Sequence, residues 1–233
     1  MADIIEILYE NPTLKLSYIP SQTENAVLCF TGIGHSLGGI DVQQSEFAGT
    51  GQQLGTPVFV TDKTRSWGNR IDFVELQERL QPLIAGKTLF ALGNSMGAFL
   101  AIAASTVLPI QRVFAFAPQF SVDPSIVPDE ARWTKYRDTI KEFRISSLAG
   151  RFRDDCQYDI FVGDAEVEVM HWRNFPMTEN IRCFIIPNTH HDVAKEMKAR
   201  NHLRTIISDC INPSLTGQEI AQKYDYILRI AEG

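Results

Sequence analysis

The most constraining feature of this 233-residue chain is an alternation of short apolar runs with longer segments of helical periodicity. From about residue 26 onward the runs are rich in β-branched and aromatic residues without polar alternation, which is typical of strands buried on both faces. Such strands, separated by helices, predict an α/β fold with a mostly parallel central sheet and helices on both faces. The predicted strands span residues 26–30, 58–61, 88–92, 112–117, 158–162 and 181–186.

Two further patterns complete this outline. Shorter apolar runs at residues 4–9 and 14–19 flank the turn signal Asn11-Pro12-Thr13, which predicts an N-terminal β-hairpin at the sheet edge. Helical periodicity predicts helices at residues 72–84, 95–107, 128–143, 192–198 and 218–230.

The length of the chain predicts one domain over residues 1–233, because no linker or internal repeat interrupts the pattern. About forty residues separate the predicted strands 112–117 and 158–162, which is longer than a plain crossover. We therefore expect any small cap over a site to lie at about residues 120–156.

Charge and composition exclude several partners. The formal net charge is −6 and no two Lys or Arg residues are adjacent, whereas nucleic acids and anionic membranes require a clustered basic face. No apolar run approaches the ~20 residues that span a bilayer, and no secretory signal precedes the first strand. The sequence also lacks a metal-ligand cluster and a phosphate-binding loop, so we expect neither metal nor cofactor. It does not indicate the oligomeric state.

The four cysteines are widely separated and form no Cys-x-x-Cys pair. Most of them fall within apolar runs, which predicts reduced thiols in the core and, with them, a cytoplasmic location. They are Cys29, Cys156, Cys183 and Cys210.

The motif with most chemical content is Gly93-Asn94-Ser95-Met96-Gly97, which lies directly between a predicted strand and a predicted helix. This is the context that a G-x-S-x-G nucleophile elbow requires. A sharp strand-to-helix turn forces the nucleophile into a strained backbone conformation, and glycines at 93 and 97 remove side chains that would collide there. The alternative is a glycine-rich turn in which Ser95 only caps the helix.

With this motif in this position, the chain resembles the α/β-hydrolase family from Ala26 to its C-terminal region. The resemblance implies a serine hydrolase that cleaves a small-molecule ester or thioester through an acyl-enzyme, using a Ser-His-acid triad. In that family the acid and then the histidine follow the serine in chain order, each on a loop after a later strand.

The acid and the histidine each have two candidates. Strand 158–162 leads into Gly163-Asp164-Ala165-Glu166, where Asp164 is the commoner residue type and Glu166 has the usual spacing from the glycine; we rank Asp164 slightly ahead. Strand 181–186 leads to His190 and His191. The resemblance favours His191 as the base, because it directly precedes a predicted helix.

The resemblance also implies an oxyanion hole and a substrate wall. By match to the family, the backbone amides of Ile33 and Met96 are the oxyanion donors. Trp67, with Arg65 and Arg70, lies in the loop after strand 58–61 and is the candidate substrate-binding wall for a sugar or an acidic acyl group. A solvated connecting loop is the alternative for that segment.

Two other functions remain open. Gly32-x-Gly34-x-x-x-Gly38 followed by Asp62 resembles the NAD(P)-binding opening of short-chain dehydrogenases. However, Asp62 lies thirty residues after Gly32 instead of about twenty, and the Tyr-x-x-x-Lys of that family is missing because Ile140 stands where Tyr136 would need a lysine. The second alternative is a non-catalytic binding protein with the hydrolase fold.

Overall fold

The computed structural model describes residues 4–34 and 42–229, and within them a single nine-stranded sheet lies between two groups of helices. The strands are β1 (Glu6–Glu10), β2 (Leu14–Tyr18), β3 (Asn25–Phe30), β4 (Thr56–Asp62), β5 (Thr88–Asn94), β6 (Ile110–Phe116), β7 (Gln157–Gly163), β8 (Ile181–Ile186) and β9 (Ile227–Leu228). The helices are α1 (Ala48–Leu54), α2 (Phe73–Ile84), α3 (Met96–Ala104), α4 (Thr134–Arg137), α5 (Glu166–Trp172), α6 (Val193–Ala199), α7 (Leu203–Ile211) and α8 (Gly217–Tyr224).

The sheet has the order β1-β2-β4-β3-β5-β6-β7-β8-β9. All pairs from β4 to β8 are parallel, whereas β1, β2 and β9 pair antiparallel at the edges. The predicted α/β class and the N-terminal hairpin are therefore confirmed. The hairpin turn is fixed by Asn11, whose side-chain oxygen accepts from the backbone N–H groups of Thr13 and Leu14 at 2.8 and 2.7 Å.

Both faces of the sheet are buried. In β3, Ala26, Leu28 and Phe30 belong to the core shared with α2 and α3, while Val27 and Cys29 belong to the core shared with α6, α7 and α8. This alternation follows from the two-residue period of a strand and explains why the central strands are apolar throughout. The four cysteines are free and buried.

The connection between β6 and β7 differs from the predicted helix at 128–143. It contains only α4, a single turn, and is otherwise irregular. Glu130 and Arg132 explain the difference, because both side chains enter one ion cluster whose carboxylates are buried. Residues two apart on a helix point to nearly opposite sides, so a helix here would break that cluster.

The C-terminal helix is also shorter than predicted. α8 ends at Tyr224, where Asp225 adopts a left-handed conformation (φ 56°), and β9 follows; residue 230 lies outside the described part of the chain. Among the helices of residues 4–34 and 42–229, none has the length and apolar character needed to cross a membrane.

Candidate active site

Ser95 occupies the sharp turn between β5 and α3. Its backbone has φ 55° and ψ −120°, a strained conformation that residues other than glycine rarely adopt. A Cβ at Gly93 would lie 2.2 Å from the carbonyl oxygen of Gly97, and a Cβ at Gly97 would lie 2.2 Å from that of Phe30. Both glycines are therefore required by the close approach of backbone segments around the serine.

His191 is the histidine that meets this serine. Its Nε2 lies 2.7 Å from the Ser95 Oγ, although the two residues are 96 positions apart in the chain. The loop after β8 carries His191 to the carboxyl edge of the sheet, where β5 also ends. His190 is exposed to solvent, so of the two adjacent candidates only His191 contacts the serine.

The carboxylate beside His191 belongs to Glu168, which the sequence did not single out. Glu168 Oε1 lies 3.0 Å from His191 Nδ1, and the side chain is 2% exposed. Burial alone would raise the pKa of Glu168, but the hydrogen bond with His191 and the charge of Arg132 outweigh it and lower the pKa. Ser95, His191 and Glu168 thus form a continuous chain of hydrogen bonds.

The two carboxylates proposed from the sequence lie elsewhere, which corrects the expectation for the acid. Asp164 accepts from the backbone N–H groups of Asn188 at 2.9 Å and Thr189 at 3.1 Å, and these bonds, led by that from Asn188, lower its pKa. It therefore anchors the loop that carries His191 instead of contacting the imidazole. Glu166 is exposed in the first turn of α5.

The error has a physical origin. α5 begins immediately after the β7 loop, so Glu166 and Glu168 lie on opposite sides of a helix and only one of them can face the sheet. Glu168 shares its face with His171 and Trp172, three and four residues later. If a helix had been predicted at residues 166–172, the position of Glu168 on the same helix face as these two aromatic side chains would have indicated it as the acid.

The two residues whose backbone amides were predicted to form the oxyanion hole both lie in the described part of the chain. Ile33 follows β3 and Met96 is the first residue of α3; both are buried beside the elbow. Neither N–H donates to any acceptor in the described part of the chain. The Ile33 carbonyl accepts from Arg65 Nε at 2.8 Å, which fixes the orientation of this loop. These amides are available to bind a developing negative charge.

Trp67 does not form the wall of a substrate site, contrary to expectation. It is fully buried, and its Nε1 donates to Gln119 Oε1 at 3.1 Å. An indole nitrogen can only donate, so this bond fixes the amide of Gln119 with Nε2 toward Ser95, to whose Oγ it donates at 2.9 Å. Trp67 thus acts on the serine through Gln119. Like Glu168, Gln119 was not indicated by the sequence.

The segment between β6 and β7, for which a small cap was predicted, contacts the site through Trp133. The ring of Trp133 lies 5.3 Å from that of His191, and Ser95 is only 5% exposed. Beside the elbow, a cleft of about 620 Å³ extends from Asn94 and Glu46 to the basic residues Lys195, Lys198 and Arg204.

The features that resemble a dinucleotide site have other roles in this structure. Asp62 is fully buried and accepts five hydrogen bonds from Thr64, Ser66 and Gly68, so its carboxylate is not available to hold a ribose. Gly38, the last glycine of that pattern, lies outside the described residues. Within residues 4–34 and 42–229, no cluster of His, Cys, Asp or Glu is suited to a metal ion.

Comparison with known proteins gives a clear result only at the level of structure. No protein-family model and no curated protein sequence matches the chain. Among solved structures, it is similar to the capsule O-acetyltransferase of Neisseria meningitidis serogroup A, with a TM-score of 0.61 and 13% identity over 86% of this chain and 93% of that one. It is also similar to the esterase Pf2001 of Pyrococcus furiosus, with a TM-score of 0.58 and 14% identity over 96% and 92%.

A third similar structure is a predicted hydrolase of Thermoplasma acidophilum, with a TM-score of 0.51 and 14% identity over 89% of this chain and 97% of that one. At sequence identities this low, the similarity establishes only the fold, and the reaction has to be argued from the residues of the site. The parallel sheet, the serine at the strand-to-helix turn and these neighbours agree: the protein has the α/β-hydrolase fold.

Proposed function

We propose that the protein is a serine hydrolase that cleaves an ester or thioester of a small molecule through an acyl-enzyme. The observation that carries this proposal is the chain of hydrogen bonds from Ser95 through His191 to Glu168, with distances of 2.7 and 3.0 Å. A serine hydroxyl becomes a useful nucleophile when an adjacent base takes its proton, and a third group that orients the base completes the arrangement.

Each group has a defined part in the reaction. His191 Nε2 takes the proton of Ser95 Oγ as the oxygen attacks the substrate carbonyl carbon, and Glu168 stabilises the resulting imidazolium. The amides of Ile33 and Met96 bind the oxyanion. The imidazolium then returns the proton to the leaving alcohol or thiol, and water, activated by the same histidine, hydrolyses the acyl-enzyme and restores Ser95.

Acyl transfer is a second outcome of the same chemistry, favoured by the similarity to an O-acetyltransferase along most of both chains. If an acceptor alcohol replaces water at the acyl-enzyme, the acyl group moves to that alcohol and no hydrolysis occurs. The low exposure of Ser95 supports this outcome, because a covered acyl-enzyme is shielded from bulk water.

A fluorophosphonate probe and a short-chain aryl ester test the proposal together. We expect covalent labelling and turnover in the wild-type protein, and loss of both in Ser95→Ala, which removes only the nucleophile. Ser125→Ala is the matched control, because Ser125 is an exposed serine and the variant should behave as wild type.

Turnover that survives Ser95→Ala would assign the chemistry to another group. A folded wild-type protein that neither labels nor turns over any acyl substrate would instead favour the non-catalytic binding protein. The cytoplasmic location inferred from the cysteines remains a prediction.

A further inference from the structure

A second buried acid–histidine pair lies behind the active site. Glu130 and His171 are each 1% exposed, and His171 Nε2 lies 2.8 Å from Glu130 Oε2. Arg132 connects this pair to Glu168: its Nε lies 2.9 and 3.0 Å from the two Glu130 oxygens, and its Nη1 donates to Glu168 Oε1. The mechanism described above uses none of these three residues.

The protonation of His171 follows from its hydrogen bonds. The backbone N–H of Phe120 donates to His171 Nδ1 at 3.2 Å, and only an unprotonated ring nitrogen can accept. The ring is therefore neutral and its Nε2–H donates to Glu130. Hydrogen bonds from His171 and Arg132 outweigh burial and lower the pKa of Glu130 to about 2, so this carboxylate is ionised.

By itself, the positive charge of Arg132 would weaken the interaction between Glu168 and His191, and the negative charge of Glu130 offsets it. Arg132 and His191 both bind the same oxygen of Glu168, so an arginine without another partner would neutralise the charge that must stabilise the His191 imidazolium. With Glu130 present, the side chains of Glu130, Arg132, Glu168 and His191 together carry one net negative charge before the Ser95 proton moves to His191. After that transfer they carry no net charge. Without Glu130, the remaining side chains would start with no net charge and carry one net positive charge once His191 is protonated, while the matching negative charge forms on the substrate oxyanion. Two positive groups would then share one Glu168 oxygen, which makes this charge separation more costly.

We propose that Glu130 is a positioning residue that acts through Arg132: it neutralises the guanidinium, so that Glu168 keeps its negative charge for His191. The inference rests on the proposed function of Ser95, His191 and Glu168. It also explains why the irregular segment between β6 and β7 is joined to the site at two points: Arg132 binds Glu168 and Trp133 lies against His191, while Glu130 binds Arg132.

The test is a charge-compensation experiment with three variants. Glu130→Gln keeps the shape of the side chain but removes its charge, and should reduce turnover at least about tenfold, though less than the about 10³–10⁴-fold loss expected for a triad member. In Glu130→Gln/Arg132→Met the competing positive charge is removed as well, and turnover should recover to about tenfold above the Glu130→Gln value. Asp129→Asn, which removes the exposed neighbouring carboxylate, is the control and should equal wild type.

Aryl-ester turnover and fluorophosphonate labelling are measured for each variant, with thermal unfolding to report the folded fraction. A purely structural role for the cluster predicts that the double variant is no more active than Glu130→Gln, and that result would overturn the proposal. If Glu130→Gln does not fold, Arg132→Met decides: turnover should exceed that of Glu168→Gln by about tenfold or more, and equal losses contradict the proposal.

The outcomes also separate this inference from the proposed function. A wild-type protein without Ser95-dependent labelling or turnover overturns both. An active wild type whose double variant fails to recover overturns the role of Glu130 alone.

Discussion

Three carboxylates lie within five residues of one another after β7, and their environments differ sharply. Asp164 binds backbone amides of the neighbouring loop, Glu166 faces solvent, and Glu168 is buried against His191. Residue type does not distinguish Glu166 from Glu168. The two differ in the direction in which α5 points their side chains, and this direction decides which carboxylate can orient the His191 imidazole.

The three carboxylates should respond differently to loss of charge. We expect Glu168→Gln to reduce turnover by about 10³–10⁴, because the amide no longer stabilises the imidazolium. Glu166→Gln is the matched control and should have little effect. Asp164→Asn should have an intermediate effect, since it weakens the anchor of the histidine loop without touching the imidazole. Measured kcat values for the three variants check this order; a larger loss from Asp164→Asn or Glu166→Gln would contradict the assignment of Glu168.

At the scale of elements, the site depends on the close packing of two loops at the carboxyl edge of the sheet. The last residue of β7, Gly163, leaves space for the loop after β8: a Cβ at this position would lie 2.1 Å from the carbonyl oxygen of Thr189 and 2.5 Å from that of His190. Trp172 also donates to the Gly163 carbonyl at 3.1 Å, so α5 and the histidine loop meet at this glycine.

Gly163→Ala should therefore displace the histidine loop. Because the obstructing atoms are backbone, we expect destabilisation of about 1–3 kcal/mol together with a loss of turnover in the molecules that remain folded. Gly86→Ala is the control: Gly86 has φ 72° but no neighbour within 4 Å, so it should cost only the left-handed backbone strain and leave turnover per folded molecule unchanged. Chemical unfolding and active-site titration measure the two effects; full turnover in folded Gly163→Ala would show that the contact is not needed.

At the scale of the whole molecule, stability should depend on an acid outside the proposed triad. Glu46 is partly exposed as a residue, but its carboxyl group lies against the backbone of Gly32, from whose N–H it accepts at 3.2 Å. Burial raises the pKa of Glu46 to about 7, against the smaller lowering effect of that hydrogen bond. The folded state therefore binds this proton more tightly than the unfolded chain does.

The sign of the pH effect follows. The contribution of protonated Glu46 to stability is fully present below about pH 4.5 and is lost as the pH rises through about 7. Relative to wild type, Glu46→Gln should be more stable at pH 8 than at pH 5, because the amide never ionises. Unfolding free energies at both pH values check this, with the exposed Glu78→Gln as control. An unchanged difference between wild type and Glu46→Gln would mean that Glu46 does not titrate in this range.

The sequence by itself determined the architecture and the position of Ser95 at a strand-to-helix turn. Strand burial, the N-terminal hairpin and the turn around Ser95 depend on residues close together in the chain: apolar runs, the Asn11 turn, and glycines two residues either side of the serine. Such features carry a local signal because their periods and spacings are set by backbone geometry. The order of strands then brings the loop with His191 to the edge where Ser95 lies.

Only the tertiary structure decided which other residues complete the site. The contact of Glu168 with His191 depends on where α5 begins. The contact of Trp67 with Gln119 depends on the burial of the indole ring. The position of Glu130 depends on an irregular segment for which sequence periodicity predicted a helix. Each of these side chains is specified by a partner far away in the chain, for which no local pattern exists. Contacts of this kind form when loops from different strands pack together, so they are fixed by the packed fold and not by the spacing of residues along the sequence.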